Sequence, residues 1–392
     1  MEWLPIEYYI IFLLWIAAAF FFPRILRRIH IPWVTAVILA GIVMGPHVLG
    51  LINPNELMDF LATLGLILLM FSAGADTKMS ALKSAGKEVI YFTLLNMGIP
   101  MLVGFSVGLF LGLEPLAAAV LSACFGSSSV AVIIPTLKEL KTEARIGSLM
   151  TPSIFLADVI SLIFLAVLLK PLVDMSPVPL EIFPIALIAF LVITLYLMPK
   201  LQERLMSWCS EKDEFSSQIR TIFITVAIVA ILAEFIGIHA MVGGFLAGLS
   251  LSKMLETQKH LQENIVTISY GFLIPIFLLY VGMTTNITTL FTPGDAILTL
   301  LIIISLITSK TVSGFLGGRL LGFSKRTSAG MGFMTTAQLS TTLATATVAT
   351  QYGIFSDDLL TAIVVLSIVT IIIAPILTRA ILRQKCEEDI LI

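Results

Sequence analysis

Long apolar runs alternate with short polar connections along the whole chain. We count thirteen runs near the length that a helix needs to cross a bilayer, about 20 residues. The pattern predicts an all-α polytopic membrane protein with about 13 transmembrane helices. The runs lie near residues 7–23, 32–51, 57–75, 88–112, 116–137, 146–172, 180–200, 217–236, 240–254, 264–284, 295–317, 327–350 and 358–380.

The composition supports a membrane protein over a soluble one. Hydrophobic residues make up 58% of the chain and charged residues only 12%, whereas a soluble domain carries roughly 25% charged residues. The chain therefore lacks the charged surface that a large soluble core would need. No basic stretch fits nucleic acid, and the Cys and His residues show no ligand spacing. We therefore expect no cofactor. We expect the lipid bilayer to surround the protein.

The positive residues set the orientation. Nearly all of the 23 Lys and Arg residues follow odd-numbered runs, which places them on one side of the membrane. By the positive-inside rule the N-terminus is outside and the C-terminus is cytoplasmic. The two exceptions are Lys170 and Lys310.

The two halves of the chain resemble each other at an offset of about 207 residues. Segments 31–45 and 238–252 share an Ala-Gly pair, and segment 65–77 is echoed by 271–285. The matching segments are seven runs apart. Because seven is odd, the second copy crosses the membrane in the opposite direction to the first. This predicts an inverted repeat of runs one to six and eight to thirteen, the plan of many secondary transporters.

Polar interruptions occur at matching places in the two copies. They are "FGSSSVAVIIP" (125–135) and "GFMTTAQLSTT" (332–342). Hydroxyls and an amide there can bond freed backbone groups, and half-helix ends can hold a cation. We therefore predict two discontinuous helices that cross, with the candidate ion-binding residues Ser128, Ser129, Thr335, Thr336 and Gln338. The alternative is that these are small residues of a helix interface.

Two charges lie inside apolar runs next to these interruptions. Asp158 is in the middle of "SIFLADVISLIFLAVLL" (153–169), and Lys310 is in the eleventh run. Burial favours the neutral acid, whereas a nearby ammonium favours the carboxylate. We expect Asp158, with Ser161 in the same run, to bind either H⁺ or a small hard cation such as Na⁺ or K⁺. Lys310 is the candidate counter-ion, which we expect either to pair with Asp158 or to be neutral part of the time. Structural roles remain open for both charges.

These segments resemble the monovalent cation:proton antiporter-2 family, the NapA-like and Kef-type exchangers with the NhaA/NapA-like antiporter fold. The resemblance covers residues 31 to about 375. It implies a homodimer with a dimerisation part (about 7–75 and 217–284), a core transport part (about 88–172 and 295–380) and a linker helix and connector (173–216). It also implies elevator-type alternating access. The chain departs from the family in having Ala157 before Asp158, where another acid or a Gln is usual.

The sequence thus predicts a Na⁺/H⁺ antiporter of a prokaryotic cytoplasmic membrane, which is not an enzyme. Its substrates would be a monovalent cation and the proton. K⁺/H⁺ exchange is the near alternative, because oxygen ligands alone do not fix ion size. A sodium-coupled solute symporter, a non-transporting sensor and an intramembrane enzyme are more distant alternatives. The single carrier acid favours electroneutral exchange.

Overall fold

The structure, a computed structural model, describes residues 6–29, 31–77, 86–129, 132–133, 136–137, 144–172, 177–208 and 214–382. Much of the predicted fifth run beyond Ser129 and part of the 173–216 connector lie outside these residues. Regular structure in the described part is helical throughout.

Six helices form the first half. They are α1 (Ile6–Leu26), α2 (Trp33–Met44), α3 (Glu56–Asp76), α4 (Lys87–Phe110), α5 (Pro115–Gly126) and α6 (Ala144–Leu169).

Eight helices follow. They are α7 (Phe183–Ser207), α8 (Glu214–Ile236), α9 (Ala240–Thr257), α10 (Lys259–Thr284), α11 (Pro293–Leu320), α12 (Lys325–Met334), α13 (Ser340–Gln351) and α14 (Asp357–Leu382). Both α7 and α10 contain one π-helical turn, 193–197 and 269–273, that ends two residues before a proline. A proline cannot donate the next helical hydrogen bond, which accounts for the local irregularity.

The predicted runs each have helical structure at their positions in the described part of the chain, which confirms the all-α prediction. Nine of the described helices are at least 18 residues long and apolar enough to cross a membrane. The other runs differ in length or continuity. The second run contains only the 12-residue helix α2. The ninth run corresponds to α9, which is not among these nine helices. The fifth and twelfth runs are interrupted.

Glycines bring two pairs of helices into backbone contact. A Cβ at Gly41 of α2 would lie 2.2 Å from a carbonyl oxygen of α10, and one at Gly282 of α10 would lie 2.2 Å from a carbonyl oxygen of α2. Gly74 of α3 and Gly248 of α9 meet each other's helix in the same way, at 2.0 Å each. Gly41 and Gly248 are 207 residues apart, so they occupy equivalent positions in the two halves of the chain. Each of them contacts a helix of the other half. Two copies related by a local two-fold axis produce such reciprocal contacts.

The turns that follow α4 and α11 repeat one geometry. Gly112 and Gly322, 210 residues apart, both have positive φ angles, 78° and 85°. In each turn the next residue donates its N–H to the carbonyl four residues before the glycine: Leu113 to Gly108, and Phe323 to Gly318, both at 3.0 Å. The segments α4–α5 and α11–α12 are therefore built alike.

The interrupted helices lie among the helices of this repeated unit. The helix α4 packs on α5, α6 and α11, and α14 packs on α11, α12 and α13. The helices α5 and α13 contact each other directly. This arrangement brings residues from α4, α6, α11 and α14 towards both interruptions.

Candidate ion-binding site

Both predicted interruptions are present. The helix α5 ends at Gly126, and Ser127 continues in extended backbone with φ −75° and ψ 171°. The helix α12 ends at Met334, and the chain stays non-helical until α13 begins at Ser340. The prediction of two discontinuous helices is confirmed.

The two interruptions are hydrogen-bonded to each other. The Ser129 N–H donates to the carbonyl of Ala337 at 2.7 Å. The Ser128 hydroxyl donates to the carbonyl of Thr335 at 2.8 Å, which joins positions 207 residues apart. The predicted proximity of Ser128, Ser129 and Thr335 is thus present in the structure. Thr336 is next to Thr335, and the hydroxyls of these two threonines donate back to carbonyls of α12.

Gln338 ties the interruptions together through its amide. Its Nε2 donates to the carbonyl of Ser127 at 2.9 Å, and its Oε1 accepts from the hydroxyls of Ser127 and Thr342. Its backbone N–H donates to the Thr370 hydroxyl of α14 at 3.2 Å. Gln338 therefore lies at the crossing, as predicted, but its side-chain oxygen is already engaged by two hydroxyl donors.

Asp158 faces the crossing from α6. It is buried, at 5% exposure, and its carboxylate lies near the backbone N–H of Ser128, the Thr341 hydroxyl and Lys310. Its Oδ1 and the Ser129 hydroxyl are both buried without a hydrogen-bond partner among the described residues. Buried polar atoms are nearly always satisfied, so two such oxygens at one crossing call for an explanation.

Ser161 contacts a neighbouring helix. Its hydroxyl donates to the carbonyl of Ala123 at 2.8 Å, which fixes α6 against α5 one turn away from Asp158. The structure thus places Ser161 at the edge of the crossing, with its proton used in a helix–helix contact.

The ammonium of Lys310 does not make the direct pair with Asp158 that we expected. Lys310 is fully buried in α11, and its Nζ donates to the carbonyls of Asn96 and Gly126 and to the Ser128 hydroxyl, at 3.1, 2.9 and 3.0 Å. The carbonyl at the end of α5 has no further turn to bond and carries partial negative charge, so it attracts a cation. The free Gly126 carbonyl explains why the Lys310 ammonium is bonded there and not directly to Asp158.

The sequence analysis missed several polar residues around these groups. They are Asn96, Ser127, Thr341, Thr342 and Thr370. Ser127, Thr341 and Thr342 lie within the two quoted interruptions, and Asn96 is an amide within an apolar run, so these four carried a usable signal. Thr370 did not, because Thr is common in membrane helices.

A second polar group lies between α8 and α9. The Glu234 carboxylate accepts from the Ala240 N–H at 2.7 Å, and His239 Nδ1 accepts from the Met241 N–H at 3.2 Å. Both groups satisfy free N–H groups at the start of α9. Burial lowers the pKa of His239 to about 4, which keeps the ring neutral and able to accept. This group is a helix cap and is separate from the crossing.

A polytopic helical protein with two interrupted helices crossing beside a buried carboxylate has the architecture of a secondary transporter. The family described as sodium/hydrogen exchanger, transmembrane, matches residues 16–384. The chain belongs to this family.

Relatives match almost the whole chain. The chain is 30% identical over 386 residues to the probable Na(+)/H(+) antiporter 3 of Methanocaldococcus jannaschii, covering 97% of this chain and 98% of the relative. It is 28% identical to the Na(+)/H(+)-K(+) antiporter GerN of Bacillus cereus, covering 89% of each.

Among solved structures, the sodium proton antiporter MjNhaP1 from Methanocaldococcus jannaschii has a similar fold. The TM-score is 0.72 at 17% sequence identity, covering 96% of this chain and 99% of that one. The family is thus established as that of sodium/hydrogen exchangers, which is broader than the antiporter-2 branch predicted from the sequence.

Proposed function

We propose that this protein exchanges Na⁺ for H⁺ across a membrane and that Asp158 carries both ions in turn. The observation that carries the proposal is the pair of unsatisfied buried oxygens, Asp158 Oδ1 and Ser129 Oγ, at the crossing. Carboxylate and hydroxyl oxygens are hard ligands that suit a small hard cation. A cation bound there would satisfy both atoms.

Competition for one carboxylate couples the two ions. When Na⁺ occupies Asp158 the acid is ionised, and when Na⁺ leaves, burial favours the protonated form. Neither ion can be held while the other is bound. Such a site exchanges one ion for the other once it can open to each side of the membrane.

We further propose the domain division that the sequence suggests. The parts 7–75 and 217–284 form a dimerisation scaffold, and 88–172 and 295–380 form the mobile core that carries the site. The backbone contacts at Gly41, Gly282, Gly74 and Gly248 all lie within the first two ranges, which supports a rigid scaffold. The core moves against this scaffold by an elevator-type motion.

The finer classification and the membrane orientation are part of the same proposal. The chain is assigned to the monovalent cation:proton antiporter-2 branch on its segments and on the Asp158–Lys310 combination. It forms a homodimer in a prokaryotic cytoplasmic membrane, with the N-terminus outside and the C-terminus in the cytoplasm, as its positive residues favour.

K⁺ is the second candidate cation. The relative GerN is named as a Na(+)/H(+)-K(+) antiporter, and oxygen ligands accept both ions. A comparison of Li⁺, Na⁺ and K⁺ gradients in the assay below distinguishes the two.

The test is cation-driven proton flux in vesicles containing purified protein. Wild-type protein should move protons when Na⁺ is added, and Asp158→Asn should abolish the flux because the amide cannot titrate. Asp295→Asn, which changes a half-buried acid in the first turn of α11, serves as the control and should retain it. Full flux in a folded Asp158→Asn protein would disprove the carrier role.

A further inference from the structure

The helix α4 contains a proline at its centre, Pro100. A proline has no N–H, so the carbonyl four residues earlier loses its helical partner. That carbonyl belongs to Asn96. In an apolar helix such a free carbonyl must find another donor, because no water is available to supply one.

The donor is Lys310. Its Nζ lies 3.1 Å from the carbonyl oxygen of Asn96. The Asn96 side chain also takes part in the contact between the two helices, because its Oδ1 accepts from the Ser313 hydroxyl at 3.3 Å. The contact between α4 and α11 therefore depends on polar groups at one turn of each helix.

The repeat relates these two residues to each other. The turns after α4 and α11 match at Gly112 and Gly322, which are 210 residues apart. The same offset makes Lys310 of α11 the residue equivalent to Pro100 of α4. A proline in one copy thus occupies the position of the lysine in the other. In this chain the two copies meet there, with one helix supplying a free carbonyl and the other supplying the ammonium.

The ammonium of Lys310 has three hydrogen-bond acceptors, and the Asp158 carboxylate is not one of them, although Ser128 contacts both residues. Two are backbone carbonyls that local structure has freed, Asn96 by the proline and Gly126 by the end of α5. While these acceptors hold the ammonium, Asp158 Oδ1 has no hydrogen-bond partner among the residues that the structure describes. That oxygen is then open to a transported cation.

We propose that Pro100 is a positioning residue for cation binding, an inference that rests on the proposed function. By freeing the Asn96 carbonyl, Pro100 holds the Lys310 ammonium on the α4 side of the site and out of a direct hydrogen bond with Asp158. Replacing Pro100 by alanine returns an N–H to the helix, which recaptures the carbonyl. The ammonium then turns towards the carboxylate and competes with the cation.

The experiment is Na⁺-driven proton flux in vesicles, measured against Na⁺ concentration for Pro100→Ala. We expect the Na⁺ concentration for half-maximal flux to rise about fivefold, the value of roughly one hydrogen bond, while the saturated rate stays within about twofold. Pro375→Ala, in the middle of α14, is the control for removing a proline from a core helix and should leave both quantities unchanged.

The double variant separates positioning from packing. In a Lys310→Gln background, Pro100→Ala should cause no further change, because no ammonium remains to be held. Na⁺-dependent protection against thermal unfolding in detergent measures the same affinities where turnover is low. Pro100→Gly, which also restores the N–H, replaces the alanine variant if that protein does not fold.

Three outcomes are decisive. An unchanged Na⁺ dependence in Pro100→Ala overturns the inference, and so does an equal shift in the Lys310→Gln background, which would assign the effect to helix packing. Absence of exchange by the wild-type protein in the same vesicles would instead disprove the proposed function.

Discussion

Two oxygen atoms of the crossing, Asp158 Oδ1 and Ser129 Oγ, differ from their neighbours in having no hydrogen-bond partner within the described part of the chain. The hydroxyls of Ser128, Thr335 and Thr336 all donate to carbonyls. Leaving a buried group unsatisfied costs about 1–3 kcal/mol. Ser72 of α3 has such an atom too, so it is the position of Asp158 Oδ1 and Ser129 Oγ at the crossing that supports a role in cation binding.

The hydroxyl of Ser129 provides a direct test at this scale. Ser129→Ala should weaken Na⁺ affinity several-fold, because one candidate ligand oxygen is lost. Its thermal stability without Na⁺ should stay the same or rise slightly, because an unsatisfied hydroxyl is removed. The measurement is thermal unfolding in detergent across a Na⁺ titration.

Ser72→Ala is the matched control for Ser129→Ala. Ser72 is also a buried serine whose hydroxyl has no hydrogen-bond partner in the described part of the chain, but it lies in α3, outside the crossing. It should leave the Na⁺ dependence unchanged. If Ser129→Ala kept wild-type Na⁺ affinity, the Ser129 hydroxyl would not be a ligand.

The sequence identified the charged residues of the site and missed its neutral ones for one physical reason. A charge in an apolar run is expensive and therefore conspicuous, as Asp158 and Lys310 are. A threonine such as Thr341 is cheap in any membrane helix. The structure shows Lys310 bonded to the carbonyls of Asn96 and Gly126 and not directly to Asp158. The sequence could not indicate this, because Pro100 and the end of α5 expose those carbonyls.

At the level of elements, glycine spacing decides how closely the helices approach. Gly248 of α9 faces the backbone of α3, where a Cβ would lie 2.0 Å from the Phe71 carbonyl oxygen. Gly98 of α4 is also within a helix, but a Cβ added at Gly98 would have no neighbouring atom within 4 Å among the described residues. The two glycines therefore serve different purposes.

Alanine substitution at these two positions should have opposite effects. Gly248→Ala must push α9 away from α3 and should destabilise the protein by at least about 1–3 kcal/mol. Gly98→Ala should be neutral or stabilise by up to about 1 kcal/mol, since alanine favours the helix. Thermal unfolding of both variants in one detergent checks this, and equal behaviour would contradict the close packing.

Hydropathy predicted the position of every element but not its length. The second predicted run covers residues 32–51, yet α2 ends at Met44. Its last turn is followed by Gly45 and Pro46, which favour an irregular segment, and apolar composition continues past that break. Composition shows which residues avoid water, whereas helix ends depend on local backbone chemistry.

At the scale of the whole molecule, the two halves share one scaffold but not their charges. The turns at Gly112 and Gly322 and the glycine pairs occur in both halves. Asp158 and Lys310, in contrast, have no charged residue at the equivalent position of the other half. The position of Lys310 corresponds to Pro100 in the other half. The candidate site is therefore asymmetric on a nearly symmetric frame, and Asp158 is its one candidate carrier acid among the described residues.

The number of charges moved in each cycle follows from this arrangement. With Asp158 as the one carrier, one proton crosses in one direction and one monovalent cation in the other, and no net charge is transferred. A second proton would have to come from Lys310. Its ammonium is bonded to Asn96, Gly126 and Ser128, so a cation arriving at Asp158 breaks none of these hydrogen bonds, and we expect Lys310 to keep its proton.

We therefore predict electroneutral exchange. In vesicles where K⁺ and valinomycin impose a membrane potential, the rate and end-point of Na⁺-driven proton flux should be the same at every potential, provided that K⁺ is not itself transported. A 100 mV potential acts with about 2.3 kcal/mol on each net charge moved, which would change the end-point strongly if two protons crossed for each Na⁺. A flux that follows the voltage would contradict the prediction and make Lys310 a second proton carrier. If the flux ignores voltage, Lys310→Gln should retain some exchange, whereas Asp158→Asn should retain none.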